Sequence, residues 1–195
     1  MRQNNQIIIA IEGIDGAGKT TLIDKLVHNI DDVAVYERTK KNKFVDMLVS
    51  SRFLKKFYIL QIPIYLLLSY KNYILYKMQP KKRIVIMDRC FLSNICYFIP
   101  GALDNKRLLK LALLFEIKIF PKTIFILNVD PVVGWSRDKN KKTIEWIKKT
   151  HKAYLHSENC SLLHWTKIKV IDSKMNTDEI CNIILKNIKE NYNGY

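Results

Sequence analysis

Glycine stands at the first, fourth and sixth positions of Gly13-Ile14-Asp15-Gly16-Ala17-Gly18-Lys19-Thr20, a segment that closes on a lysine and a hydroxyl. This is the phosphate-binding pattern G-x-x-x-x-G-K-[ST], and each residue type has a physical reason to be there. The glycines let the backbone turn tightly and come close to an anion. The opening turn of the helix that follows aims unpaired N–H groups and the positive end of its dipole at that anion. Lys19 can bridge the β- and γ-phosphates of a nucleoside triphosphate, and the Thr20 hydroxyl can ligate Mg2+. The bland alternative is an ordinary glycine-rich turn between a strand and a helix; the full match and its flanking elements argue against it.

A second pair of chemical residues follows the apolar run Ile84-Val85-Ile86-Met87, which delivers Asp88 and Arg89 at its carboxyl end. If that strand neighbours the one before the phosphate loop, Asp88 can hold Mg2+, directly or through water, and Arg89 can grip a phosphate with its planar fork. Alone, the two would read as a surface ion pair at a strand end. Beside a phosphate loop they are explained by phosphoryl transfer, which needs charge placed around the transferring group.

The elements that must position these residues are legible as alternating periodicities. Apolar, β-branched runs at 7–11, 33–36, 84–87, 123–129 and 168–171 predict strands, the first buried on both faces. Helical spacing predicts helices over 19–29, 105–115, 143–157 and 177–191, the last capped by Thr177, and a helical region over 44–78 broken near Pro63. Strands alternating with helices argue for an α/β fold with right-handed crossovers, a parallel sheet and helices on both faces. Ligands of such sheets bind at the carboxyl ends of the strands, where both motifs fall.

At 195 residues, with no linker, repeat or low-complexity tract, the chain reads as a single domain, 1–195. Lys and Arg number 33 against 18 Asp and Glu, a net charge of +15. The lysines are scattered over predicted helix faces, which favours a solvated surface over a nucleic-acid stripe. Cys90, Cys96, Cys160 and Cys181 show no C-x-x-C spacing and read as reduced thiols of a cytoplasmic protein. The polar start of the chain leads straight into a strand, so no secretory signal is expected. The uncharged stretch 57–70 is shorter than the roughly 20 residues a membrane span needs, and it contains Gln61 and Pro63, so it reads as a buried helix.

The surroundings of the two motifs resemble one family, the thymidylate kinases. Glu12 to Thr21 is similar to that family's phosphate loop in full, Asp15 included. Asp88-Arg89-Cys90-Phe91-Leu92-Ser93-Asn94-Ile95-Cys96-Tyr97-Phe98 resembles the pattern D-R-[YWH]-x-x-S-x-x-A-Y-Q, with Asp88, Arg89, Ser93 and Tyr97 in register. Leu127-Asn128-Val129-Asp130-Pro131 followed by Arg137 looks like the strand end and lid arginine of the family, and Val170-Ile171-Asp172-Ser173 like the segment that runs past the adenine. The resemblance implies a P-loop NTPase-type, five-stranded parallel sheet with a short basic lid at about 134–145. It implies ATP and Mg2+ on the donor side and a nucleoside monophosphate, dTMP first, as acceptor. Residues 13–21 would bind the donor, and Lys19, Arg89, Asp15 and Arg137 would carry the chemistry. Asp15 would contact the acceptor's sugar, Arg38 and Arg89 its phosphate, and Ser93 and Tyr97 its base pocket, while Thr20 and Asp88 would hold the metal. A homodimer formed through the apolar region 57–78 would follow by analogy.

The chain departs from the family mostly on the acceptor side. Gly16 stands where some members carry an arginine, and the lid offers Arg137, Lys139, Lys141 and Lys142 instead. Lysine supplies charge without a bidentate planar grip. The acceptor arm is Glu37-Arg38-Thr39-Lys40, and the base-stacking segment Leu67-Leu68-Ser69-Tyr70-Lys71-Asn72 lacks its aromatic and arginine in simple register, with Tyr70 and Lys71 one residue away. Two other functions stay open at this level. One is a deoxynucleoside kinase with Glu37 as base for a neutral hydroxyl. The other is a non-catalytic nucleotide or nucleic-acid binder, for which Asp88-Arg89 beside the loop would have no use.

Overall fold

The computed structural model describes residues 6–37, 82–114, 119–138 and 142–191, with Tyr70, Tyr73, Ile74 and Lys77 between them. The predicted helical region 44–78, its suggested dimer face, Arg38, Lys71, Lys139 and Lys141 lie outside these residues, apart from Tyr70, Tyr73, Ile74 and Lys77. In chain order the described elements are β1 (Ile7–Glu12), α1 (Lys19–His28), β2 (Val33–Glu37), β3 (Ile84–Asp88), α2 (Phe91–Phe98), α3 (Lys106–Leu114), β4 (Thr123–Asn128), α4 (Pro131–Arg137), α5 (Ile144–Glu158), β5 (Lys167–Asp172) and α6 (Thr177–Asn191).

The five strands form one parallel sheet in the order β2-β3-β1-β4-β5. The central strands are β1, β3 and β4, and their apolar residues are almost wholly buried: Ile9, Ile11, Val85, Ile86, Ile124 and Phe125 expose nothing measurable. Edge strands β2 and β5 are half-exposed, as expected of strands with one neighbour. The register sets Ile11 of β1 beside Asp88 of β3, and Glu12 beside Ile126 of β4. Both chemical motifs therefore leave the same carboxyl edge from adjacent central strands, on either side of which the chain crosses over.

Helix starts follow side-chain caps that the sequence signals. Thr143 Oγ1 accepts from Trp146 N at 3.3 Å at the start of α5, and Asn105 Oδ1 accepts from Arg107 N and Leu108 N at 3.0 and 3.1 Å before α3. The cap of α6 is Asn176, not Thr177. Its Oδ1 accepts from Asp178 N at 3.2 Å while Glu179 Oε2 accepts from Asn176 N at 3.1 Å, a reciprocal capping box that Thr177 has no glutamate in register to complete. Two helices were absent from the periodicity reading. Helix α4 is only seven residues long, yet Asp130 Oδ1 accepts from Val132 N and Val133 N and Pro131 takes the first turn, a start signal that Asp-Pro carries in the sequence. Helix α2 is only eight residues long, about two turns, too short for a helical period to stand out in the sequence. None of the described helices is long and apolar enough to cross a membrane.

Candidate active site

The phosphate loop joins β1 to α1 over a backbone in which all three glycines, Gly13, Gly16 and Gly18, take positive φ. Gly18 takes a left-handed conformation (φ 87°) at the N-cap of α1, and the helix opens with no side-chain cap and no acidic residue in its first turn. Its first amides are thereby left for an external anion. Gly16, also left-handed (φ 79°), lies against α4 so closely that a Cβ there would stand 2.1 Å from the carbonyl oxygen of Gly134. The arginine that some relatives of the motif place at position 16 therefore has no room here. A Cβ on Gly134 would in turn meet Ile14 Cδ1 at 2.8 Å and Asp15 O at 3.0 Å. Glycine faces glycine so that loop and helix can touch.

Lys19 is buried, and its Nζ donates to the carbonyls of Gly13 and Ile14 at 3.1 and 2.8 Å, folding the side chain over the loop. Burial, and next the nearby charge of Arg89, bring its pKa down to about 7 against the opposing pull of Asp15, Glu12 and Asp88. Thr20 and Thr21 are exposed at the start of α1, whereas Ile14 and Ala17 turn their side chains into the core.

Arg89 follows β3 in a left-handed conformation (φ 69°) that a non-glycine residue seldom adopts. That turn sends its guanidinium to the loop. Nη1 donates to Gly13 O at 3.3 Å and to Ser93 Oγ at 3.2 Å, and Nη2 pairs with Asp15 Oδ1. Lys19 and Arg89 thus donate to one and the same carbonyl oxygen, that of Gly13. Asp88, half-buried beside Arg89, has its Oδ1 buried with no hydrogen-bond partner. Burial raises its pKa despite the opposing charges of Arg89 and Lys19. A buried, unsatisfied carboxylate oxygen at the end of β3 and an exposed threonine hydroxyl at the start of α1 are hard-oxygen donors of the kind that suits Mg2+.

Under the loop, Glu12 is wholly buried and saturated. Its Oε1 accepts from Cys90 N and Ser93 N at 2.7 and 3.2 Å, and its Oε2 accepts from Ser93 Oγ at 2.7 Å and Tyr154 OH at 2.9 Å. A carboxylate from β1 therefore caps α2, and α5 is tied to both through Tyr154. Ser93, expected to line a base pocket, is a buried strut between Glu12 and Arg89. Sequence reading assigned neither Glu12 nor Tyr154 a role; Glu12 could have been found as an acidic residue ending an otherwise apolar strand, but Tyr154 carries no such signal.

Tyr97, on α2, gathers two cations and a second aromatic ring around it. Its ring meets Trp146 edge-on at 5.2 Å, and the Arg89 guanidinium lies over it at 5.3 Å. Lys142 Nζ donates to Asp15 Oδ2 at 2.8 Å while resting over the rings of Tyr97 and Trp146 at 4.5 and 4.3 Å. Burial opposes ionisation of Asp15, but Arg89 and Lys142 outweigh it and hold the carboxyl at about 2. Arg137 is exposed in the last turn of α4, Glu37 stands beside Asp88 at the end of β2, and Tyr70 is exposed with its ring next to Tyr73.

With this geometry in place, the chain matches the thymidylate kinase family model over residues 11–184. It is 29% identical over 197 residues to the thymidylate kinase of Buchnera aphidicola subsp. Baizongia pistaciae, covering 87% of this chain and 86% of the relative. It is 28% identical to that of Sulfurimonas denitrificans, covering 92% and 98%, and 30% identical to that of Wolbachia pipientis subsp. Culex pipiens, covering 94% and 98%. Among solved structures it is similar to the deoxyadenosine kinase of M. mycoides with bound dATP, at a TM-score of 0.69 and 16% identity over 94% of this chain and 100% of that one, a likeness of fold. That match runs from the strand before the phosphate loop, through the Asp88-Arg89 pair, into the last helix, and the chain belongs to the thymidylate kinase family.

Proposed function

We propose that the protein transfers the terminal phosphoryl group of ATP to a nucleoside monophosphate, with dTMP as the acceptor. The observation that carries this reading is the convergence of Lys19 and Arg89 on the Gly13 carbonyl. One cation belongs to the donor loop and the other to the neighbouring strand end, so two phosphate-gripping groups stand within a phosphate's reach of each other. Bringing two anions into bonding distance requires such neutralisation, and holding them in line supplies most of the catalysis in phosphoryl transfer. Uncapped amides at the start of α1 and Lys19 hold the donor phosphates, while Arg89 holds the acceptor phosphate and Asp15 accepts from the sugar. Thr20 and Asp88 would hold Mg2+, which when bound neutralises charge between the phosphates.

Purified protein is expected to form ADP from ATP in the presence of dTMP, and Lys19→Ala to lower kcat by about 10^2- to 10^3-fold. Absence of ADP formation with every deoxynucleoside monophosphate would overturn the reading. Thymidine used in preference to dTMP would instead favour a deoxynucleoside kinase, for which Glu37 is already at the carboxyl edge beside Asp88.

A further inference from the structure

Position 16 is closed to any side chain by Gly134, and the segment after α4 carries Lys139, Lys141 and Lys142. The structure brings one of those lysines to the site. Lys142 lies immediately before Thr143, the cap of α5, and its backbone is pinned by Trp135 of α4, whose Nε1 donates to Lys142 O at 2.7 Å. The side chain rests over both aromatic rings and ends on Oδ2 of Asp15, the carboxylate whose other oxygen Arg89 engages. With its side chain one-third exposed, it is seated by the rings without being sealed.

We propose that Lys142 is a binding residue for the acceptor's phosphate, acting with Arg89, and that Tyr97 and Trp146 form the seat that holds it there. This rests on the kinase reading given above. The chemistry is one of matching groups. Two cations held on a single carboxylate can bind a phosphate monoester through its oxygens, as they now bind the two oxygens of Asp15. Asp15 loses those donors when they turn to the phosphate, and a sugar hydroxyl of the same ligand can replace them. A nucleoside monophosphate supplies both the acceptor oxygens and the donor hydroxyl; a nucleoside supplies only the hydroxyl. Ring seating replaces the preorganisation that a planar guanidinium would bring to such a site.

The experiment is calorimetric titration of wild type, Lys142→Met and Lys142→Arg with dTMP and separately with thymidine, alongside steady-state kinetics. Lys142→Met keeps an apolar stem over the rings and removes the charge. It is expected to weaken dTMP binding and raise the KM for dTMP about 10- to 100-fold, the worth of a charged hydrogen bond, with the KM for ATP unchanged. Thymidine binding should change less than about threefold, and Lys142→Arg should recover most of the dTMP affinity. Equal losses for dTMP and thymidine would show that Lys142 acts only by holding Asp15, and overturn the proposal. So would an unchanged KM for dTMP in Lys142→Met. A wild type that neither binds nor phosphorylates any nucleoside monophosphate would overturn the kinase reading itself, and this proposal with it; wild-type turnover with an unaffected Lys142→Met overturns this proposal alone.

Discussion

Asp15 shows how one side chain inside a phosphate loop can serve two partners far apart in the chain. Arg89 and Lys142 hold it ionised, against the burial that would keep it protonated. Its pKa of about 2 in the folded protein lies below the ordinary 3.8 of an unfolded chain, so its ionic contacts contribute stability that is fully present above pH 3.8 and is lost as the pH falls through 2. The displacement is worth about 2 kcal/mol. Asp15→Asn is therefore expected to lower the urea-unfolding free energy by about that much at pH 7, and the gap from wild type should narrow as the pH is taken from 4 towards 2. A gap that stays constant over that range would mean that the carboxylate's charge is not what the two cations stabilise.

At the scale of elements, the contact of α4 with the phosphate loop depends on Gly16 and Gly134 being bare. Ala at 16 must adopt a left-handed φ and clear a backbone oxygen at 2.1 Å, so Gly16→Ala is expected to cost about 2 kcal/mol and to move α4 off the loop. Thermal unfolding measures the first effect, and limited proteolysis around residue 138 the second. Beneath this contact, Glu12 joins β1, α2 and α5 through four hydrogen bonds. The helix that follows Arg89 and the helix that follows Lys142 thus share one buried carboxylate. Tyr154 and Ser93, hydrogen-bonded to Glu12 and to each other, thus tie α5 to α2 in one buried polar network.

At the scale of the molecule, the lysines of α5 and α6, Lys148, Lys149, Lys152, Lys186 and Lys189, are exposed on the helices' outer faces, where they are solvated and scattered. Positive charge gathers instead where Lys19 and Arg89 share the Gly13 carbonyl and Arg89 and Lys142 share Asp15. A donor and an acceptor bound there would bridge β1, β3, α1 and the start of α5, so binding should stabilise the whole domain. ATP with Mg2+ and dTMP, with a total effect equivalent to a ligand at a hundredfold its Kd, is expected to raise Tm by about 5–10 °C, read by differential scanning fluorimetry. No shift with either nucleotide would contradict the site. The sequence by itself determined the sheet strands, the phosphate loop and the Asp88-Arg89 pair, because each is written in contiguous residues whose period or glycine spacing has a local physical cause. Even Asn105 and Thr143 announce their helices locally. The tertiary structure alone decided that Ser93 is a strut beneath Arg89, that Glu12 caps a helix 78 positions away, and that Lys142 reaches an aspartate 127 positions away. Those relations depend on which strands are neighbours and on how closely a helix can approach a loop, and no local pattern of residues encodes either distance.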